Sequence, residues 1–159
     1  MTHTPANPHH LHVTVAAIID QEGRFLMVEE IDNAVPVFNQ PAGHVEAEED
    51  LLTAVIRETL EETCWHFEPK ALIGIYRWQK PGSKEIYLRH CFSGNALFQD
   101  SDRTLDSGIL RTHWMSLAEI REHTPRLRSP LVLACLEDYV AGQRYPLSLY
   151  RDLTPTQPL

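Results

Sequence analysis

The first folded part of the chain has two largely apolar segments on either side of polar turn residues, in the manner of a β-hairpin. Residues 11–19 are rich in valine and isoleucine, which predicts a strand. Residues 20–23 supply turn residues, and residues 24–29 (RFLMVE) predict the second strand of the hairpin. Pro36 and the Pro41-Ala42-Gly43 segment then predict an irregular loop.

From about residue 47 to residue 63 the spacing of apolar residues becomes helical. One side of the helical wheel collects the residues expected to face the core: Leu52, Ile56, Thr59, Leu60 and Thr63. Glu58, Glu61 and Glu62 fall within an arc of about 100° on the other side. Acidic residues also crowd the start of the segment, where the helix dipole favours negative charge. They are Glu46, Glu48, Glu49 and Asp50.

Three more strands are predicted further along, at residues 71–79, 85–93 and 110–115. Ser116 and Glu119 have the spacing of a capping box, which predicts a short helix. Ser129 followed by Pro130 predicts the start of a last helix that ends near Gly142. Strands and helices are mixed along the chain, so the expected fold class is α/β, a mixed sheet covered by helices.

The length of 159 residues is that of one domain with a core large enough to fold without disulfides. Polar, proline-containing ends predict a flexible tail at 1–10, a domain at 11–147 and a C-terminal tail at 148–159. His3, His9, His10 and His12 are read as part of a solvated tail, with metal binding as the alternative. We expect a monomer or a small homo-oligomer.

Several classes of protein are disfavoured by composition. No apolar run approaches the roughly 20 residues of a membrane helix, and the N-terminus lacks the features of a secretory signal. Three widely spaced cysteines favour reduced thiols and a cytoplasmic location. The net charge of −8 argues against a nucleic-acid polymer as partner. A small phosphorylated substrate remains compatible if a divalent metal supplies positive charge.

The three glutamates of the predicted helix suggest a metal site. Glu58 and Glu62 are four residues apart with Glu61 between them on the same face, and like charges at this spacing repel. Arg57 is the only cation between residues 50 and 63. Hard carboxylate oxygens of this kind suit Mg²⁺ or Mn²⁺. An acidic, solvent-exposed helix is the alternative interpretation.

A longer pattern includes these glutamates. Gly43, five residues, Glu49, seven residues and then Arg57-Glu58-Thr59-Leu60-Glu61-Glu62 resemble the Nudix box, and Pro41-Ala42-Gly43-His44 resembles its usual lead-in. The resemblance implies a mixed sheet sandwiched between helices, an α/β/α sandwich, and hydrolysis of phosphoanhydride bonds. Such an enzyme would use Mg²⁺, for which Mn²⁺ can substitute.

Other stretches resemble one branch of this family, the NudJ-type phosphatases of bacteria. They are the segments HVTVA at 12–16, NQPAGH at 39–44, RSPLV at 128–132 and GQRYPL at 142–147. The branch implies hydrolysis of nucleoside di- and triphosphates and of hydroxymethylpyrimidine diphosphate, an intermediate of thiamin synthesis. The alternatives are a Nudix hydrolase for another diphosphate, such as a sugar nucleotide, dinucleoside polyphosphate or oxidised nucleotide, and a nucleotide-sensing Nudix module without catalysis.

The family resemblance assigns expected roles to the residues of the box. Glu58, Glu61 and Glu62 are the expected metal ligands, together with the backbone carbonyl of Gly43 or of its neighbour Ala42. Either Glu58 or Glu61 is expected to take the proton from water. Arg57 and Glu49 are expected to form an ion pair that orients the carboxylates, although an ordinary helix salt bridge has the same geometry.

Candidates outside the box come from the residues themselves. Asp106 is a candidate extra ligand or base, with turn formation as the alternative. Arg126 and Arg128 are candidates for binding substrate phosphates, with solvated surface arginines as the alternative. Three aromatic residues are candidates for stacking on a base or core residues: Trp78, Tyr76 and Phe38.

The box departs from the family pattern at three positions. Thr59 replaces an aliphatic residue, Cys64 replaces a glycine, and Trp65 fills the last apolar position. Glycine at a helix end tolerates the left-handed conformation, which costs a residue with a Cβ about 1 kcal/mol. We therefore expect a slightly altered helix end with all the carboxylates still in place.

Overall fold

A computed structural model describes residues 9–154. Its strands are β1 (His10–Gln21), β2 (Arg24–Asp32), β3 (Val35–Asn39), β4 (Ala42–His44), β5 (Trp65–Gln79), β6 (Glu85–Gln99) and β7 (Ile109–Ser116). The helices are α1 (Leu51–Thr63), α2 (Leu117–Glu122) and α3 (Leu131–Val140), with single 3₁₀ turns at Thr124–Arg126 and Leu147–Leu149.

The sheet is mixed. β1 lies between β4 and β6, pairs with β6 in parallel, and is antiparallel to β4, while β5 pairs with the other edge of β6. β2 lies between β3 and β7, antiparallel to both, and the tight turn at Gly23 connects it to β1. The Asp20 carboxylate accepts a hydrogen bond from Gly23 N at 2.8 Å and closes this turn.

The two faces of β1 face two separate hydrophobic cores. Val15, Ala17 and Ile19 pack with α1, whereas Ala16 and Ile18 pack with α2 and α3. This arrangement follows from the alternation of side chains along a strand, and it explains why consecutive residues of β1 are all buried. The α/β/α sandwich with a mixed sheet is therefore confirmed.

The predicted irregular loop at residues 36–43 is wrong, because this segment forms β3 and β4. Pro36 has no N–H to donate, but it lies on β3, whose outer side is an edge of the sheet, and there a proline is tolerated. The prolines at 36 and 41 hid two short strands whose pairing depends on β2 and β1 rather than on local sequence.

Helix α1 begins four residues later than predicted. Asp50 is its N-cap, and the Asp50 carboxylate accepts from Thr53 N at 2.7 Å. The acidic residues before it therefore precede the helix. The buried face is also rotated from the predicted one: Val55 is fully buried, whereas Ile56 is 38% exposed. This rotation turns Glu62 inward, and Glu62 becomes one of the buried residues of α1.

The later elements occur where they are predicted, although β5 begins six residues earlier and β6 ends six residues later than predicted. The capping box at Ser116 and Glu119 has both of its hydrogen bonds. Ser129 Oγ accepts from Leu131 N at 3.3 Å at the start of α3, and Gly142, just after α3, has a φ of +90°. Tyr150 packs against the core on the α1 side and its hydroxyl accepts from Leu51 N.

Residues 1–8, including His3 and most of the predicted N-terminal tail, lie outside the described part of the chain. Within residues 9–154, no helix has the length and apolar character needed to cross a membrane.

Candidate active site

Arg57 is the centre of an ionic cluster on α1. Its guanidinium binds the Glu49 carboxylate in a bidentate manner, with Nε to Oε2 at 2.9 Å. Nη1 donates to Glu58 at 2.8 Å and to Glu61 at 3.1 Å, and Nη2 donates to His44 O at 3.0 Å. One arginine thus contacts three carboxylates and the end of β4.

The charged groups of this cluster shift one another's pKa values. Hydrogen bonding to Arg57 holds the pKa of Glu49 below its usual range, and the carboxylates around Arg57 raise the pKa of its guanidinium. Glu58 behaves differently, because burial raises its pKa even though Arg57 contacts it.

Glu62 lies deeper than the other glutamates, with 8% of its surface exposed. Its Oε2 accepts from Ala42 N at 3.0 Å, which ties α1 to β4. Burial raises the pKa of Glu62 well above the usual value, and the neighbouring carboxylates of Glu30, Glu58 and Asp106 add to the shift. Among the described residues, no cation forms an ion pair with Glu62. It is therefore a buried acid whose charge the protein itself does not neutralise.

Gly43 lies against these carboxylates. A Cβ built on Gly43 would overlap the carboxylate of Glu58, so any other residue here would displace it. The glycine of the box is thus required by the close approach of β4 to α1. Ala42, Gly43, Glu58 and Glu62 together form one wall of a cavity of about 390 Å³.

The floor of this cavity is made by one face of the sheet. The strand register places Trp78, Tyr87 and His12 side by side across β5, β6 and β1. His12 and Tyr87 are stacked with ring centroids 4.7 Å apart, and the rings of Trp78 and Tyr87 are 5.8 Å apart. Trp78 and Tyr87 both line the cavity, so an aromatic surface lies in the same cavity as the glutamates.

Of the other predicted site residues, two line the cavity and the rest lie outside it. Trp78 and Arg128 line the cavity, and Arg128 pairs with Asp32 at 3.1 Å. Asp106 is exposed beside α1, where its backbone N–H donates to Glu61 O at 3.0 Å and its charge acts on Glu58 and Glu62.

Three other candidates lie elsewhere. Arg126 donates to Glu29 at 2.9 Å and covers the ring of Phe38, with its guanidinium carbon 4.7 Å from the ring centroid. Both belong to a separate, shallow surface pocket. Tyr76 packs against the core beneath α3, and its hydroxyl donates to Asp138 at 2.8 Å. In the structure these three residues make packing, ion-pair and hydrogen-bond contacts outside the cavity.

Sequence reasoning did not single out several residues of the cavity. Arg89 and Thr14 lie side by side on its floor, and Glu30 lines it from β2. The available signal for Arg89 was a lone arginine in the otherwise largely apolar strand sequence IYLRHCF.

The departures from the box are accommodated locally. Thr59 is fully buried, and its hydroxyl donates to Val55 O at 2.7 Å. Cys64 has a φ of +61° and ψ of +11°, which is the left-handed conformation expected where the family has glycine. Its N–H donates to Leu60 O at 2.9 Å, so the helix end is retained.

Comparison with known proteins shows which family the chain is similar to. The NUDIX domain model matches residues 8–133. Phosphatase NudJ of Escherichia coli strain K12 is 41% identical over 141 residues, which are 89% of this chain and 91% of that protein.

Solved structures agree with the sequence matches. A NUDIX hydrolase from Nitrosomonas europaea has a TM-score of 0.87 at 46% identity, covering 90% of this chain and 97% of that chain. The E. coli ORF135 protein shares the fold, with a TM-score of 0.68 at 22% identity, covering 86% of this chain and 94% of that chain. The chain belongs to the Nudix family of hydrolases.

Proposed function

We propose that this Nudix hydrolase uses Mg²⁺, or Mn²⁺ in its place, to remove the terminal phosphate from nucleoside di- and triphosphates and from hydroxymethylpyrimidine diphosphate. A diphosphate then gives orthophosphate and the monophosphate. The observation that carries the proposal is the buried, unneutralised carboxylate of Glu62 beside Gly43 in the cavity. The 41% identity to a protein named phosphatase NudJ supports the choice of branch.

The residues present fit a divalent cation. Burying an unpaired carboxylate is unfavourable, and a bound cation would remove that cost. Glu58 and Glu62 would hold the ion, with Glu61 and the backbone carbonyl of Ala42 or Gly43 as further ligands. Among the described residues, no three histidine, cysteine or acidic side chains converge into a metal site by themselves. Mg²⁺ is commonly bound by one or two carboxylates together with water and substrate phosphates, so two acids are sufficient.

The bound ion would neutralise phosphate charge and lower the pKa of a coordinated water. The protein contributes orientation and proton transfer. Glu58 and Glu61, both held by Arg57, are the two candidates to take the proton from the attacking water. Attack at the terminal phosphorus breaks its bond to the bridging oxygen, which leaves with the monophosphate. Trp78 offers a ring face to the base or pyrimidine, which is the part of the substrate that differs between the proposed substrates.

The test is a comparison of kcat/KM for a panel of substrates, with products resolved by chromatography and orthophosphate measured separately. The panel holds nucleoside di- and triphosphates, hydroxymethylpyrimidine diphosphate, a sugar nucleotide and a dinucleoside polyphosphate. We expect the first three to be hydrolysed with modest differences, because the phosphate end is common to all of them, and we expect excess chelator to abolish turnover. Turnover of only the last two would reject the branch, and binding without turnover would indicate a sensing module.

A further inference from the structure

A buried arginine occupies the floor of the cavity. Arg89 lies on β6 between Thr14 of β1 and Tyr76 of β5, and all three side chains belong to the same face of the sheet. Only 6% of Arg89 is exposed, and the residue lines the cavity. His44 of β4 is the next residue in this row, beyond Thr14. Two strand spacings, about 10 Å, separate the backbone of Arg89 from β4 and the glycine of the box.

The guanidinium is held in place by two amides. Nη1 donates to Gln40 Oε1 at 2.9 Å, and Nη2 donates to Asn39 Oδ1 at 3.3 Å. Each amide is oriented by a second bond, since Gln40 Nε2 donates to Val132 O at 2.8 Å and Asn39 Nδ2 donates to Glu30 at 3.1 Å. Both amide oxygens are thereby directed at Arg89.

The two amides orient the positive charge without neutralising it, and the Cys135 thiol of α3 also interacts with the guanidinium. An arginine remains protonated in proteins, and neutral amide oxygens satisfy N–H groups but carry no counter-charge. In residues 9–154 no carboxylate forms an ion pair with Arg89. Asp138 of α3 accepts from Tyr76 instead. A buried cation without a counterion is costly, so such a residue is expected to meet an anion from outside the chain.

Two neighbouring polar atoms also lack partners. Arg89 Nε and Thr14 Oγ1 are the buried side-chain nitrogen and oxygen atoms that form no hydrogen bond within the described chain. Both belong to residues that line the cavity and adjoin in the strand register. We propose that Arg89 and Thr14 form a second phosphate-binding subsite on the floor of the cavity, across from Glu58 and Glu62, which binds oxygen atoms of the substrate's phosphates.

This inference rests on the proposed function only in taking the cavity as the place of a phosphorylated substrate. A phosphate is favoured over the heterocycle as ligand because a neutral ring atom would leave the charge of Arg89 uncompensated. The ring has another surface in the same cavity, formed by Trp78 and Tyr87. A guanidinium also suits phosphate geometry, since its N–H groups can donate in parallel to two oxygens.

The test is equilibrium binding by calorimetry with Mg²⁺ present, using two probes. One is an adenosine diphosphate analogue with a methylene group between the two phosphates, which cannot be hydrolysed there. The other is adenosine, which has no phosphate. The variants are Arg89→Gln, Arg89→Lys and Thr14→Val, with Arg121→Gln as a control that removes an exposed arginine paired with Glu137 on the surface. Thermal melting reports folding of each protein.

We expect Arg89→Gln to weaken binding of the analogue by about tenfold or more, as loss of a hydrogen-bonded charge typically does, and Arg89→Lys to weaken it less. Thr14→Val should weaken it about threefold without lowering Tm, because the hydroxyl it removes has no partner in the protein. Adenosine binding and the Arg121→Gln control should not change. If Arg89→Gln does not fold, Thr14→Val decides.

Wild-type affinity for the analogue in folded Arg89→Gln, or in Thr14→Val, would overturn the subsite. An equal loss for adenosine and the analogue would also overturn it, because the arginine would then recognise the ring. These outcomes are independent of turnover. A protein that binds the analogue through Arg89 but hydrolyses none of the proposed substrates would retain the subsite and lose the proposed function.

Discussion

Glu62 and Glu29 each have 8% of their surface exposed, but Glu62 lies deep in the fold whereas Glu29 lies near the protein surface, and their surroundings shift the pKa in opposite directions. Glu29 accepts from His113 at 2.9 Å and from Arg126 at 2.9 Å, and these contacts, with the charge of Arg111, lower its pKa against the effect of burial. Glu62 accepts one backbone hydrogen bond, and burial raises its pKa well above the usual value.

We propose that this difference separates a structural carboxylate from a functional one. Around Glu29 the chain supplies Arg111 and Arg126, with His113 as a further partner, and these contacts link β2 to β7 and to the turn before α3. Around Glu62, residues 9–154 supply no paired cation, and a cavity bounded by Gly43 lies there instead. Removing one partner of a buried ion pair destabilises the fold, whereas a buried acid without a cation partner takes up a proton or is stabilised by a cation from outside.

The largest effect is expected at Glu62. Glu62→Gln should lower kcat by about 100-fold or more, as loss of a group that stabilises the transition state electrostatically typically does. Tm in chelator should stay the same or rise, since the neutral amide avoids the cost of burying a charge. Glu48→Gln, at an exposed position just before α1, is the matched control and should retain activity. Near-normal turnover of Glu62→Gln would end the distinction between the two acids.

Glu29→Gln should lower stability and largely retain activity, which is the reverse of the result expected for Glu62→Gln. Removing the carboxylate leaves Arg126 and His113 without their partner, but Arg126 is 42% and Arg111 is 67% exposed, so solvent limits the loss. We expect a loss of about 1–2 kcal/mol of stability, or roughly 2–8 °C in Tm, with kcat/KM within a few-fold of wild type. Thermal melts and steady-state assays on the same preparations measure both. A loss of activity without a loss of stability would place Glu29 in the active site.

The stability contributed by Glu29 should depend on pH. Its pKa is lower in the folded state, so the contribution is present above the ordinary carboxyl value of 4.5 and is lost as pH falls through the folded-state pKa. The Tm gap between wild type and Glu29→Gln should therefore be constant near neutrality and close progressively below about pH 4.5. A gap that persists in acid would mean that the glutamine acts through packing and not through charge.

Aromatic residues should follow the same division. Trp78 lines the cavity, whereas Phe38 is 5% exposed and packs against His113, a partner of Glu29. Trp78→Leu should lower kcat/KM up to about tenfold with little change in Tm, because stacking contributes about 0.5–1.5 kcal/mol. Phe38→Leu should lower Tm and leave kcat/KM close to wild type. Equal effects of the two changes on kcat/KM would contradict the assignment of Phe38 to packing.

The smallest effect is expected at Cys64, which belongs to neither region. Its φ of +61° is unfavourable for a residue with a Cβ, so Cys64→Gly should be more stable than Cys64→Ala by about 1 kcal/mol. The alanine variant isolates the loss of the thiol, which lies 3.6 Å from Arg103 O. Urea unfolding of both proteins measures the difference, and a glycine variant less stable than the alanine variant would show that φ is not the dominant factor.

Much of the fold could be predicted because its signals are local. Apolar segments flanking turn residues indicated β1 and β2, the capping box indicated α2, and the spacing of Gly43, Glu49, Arg57 and the glutamates indicated the family. β3 and β4 were not predicted because proline and glycine are turn signals in the sequence. Only pairing with β2 and β1 makes these segments strands.

The site was predictable where it lies on one helix and not where it is assembled from several strands. The Arg57 cluster follows from the spacing of residues along α1 and along the segment just before it. Arg89 and Thr14 are 75 residues apart in sequence, and they become neighbours through the parallel pairing of β1 and β6, which no local pattern encodes. Arg126 and Phe38 look like substrate-binding residues by type, but the fold places them on the side of Glu29.

The distinction between the two buried acids is tested most directly by Mn²⁺ binding, measured as loss of the free-ion signal in electron paramagnetic resonance. Wild type, Glu29→Gln and Glu62→Gln would be titrated under the same conditions. We predict that wild type and Glu29→Gln bind Mn²⁺ with the same affinity and that Glu62→Gln binds at least about tenfold more weakly, since it loses a charged ligand. Equal affinity in all three proteins would contradict the conclusion that Glu62 is the acid that requires a cation.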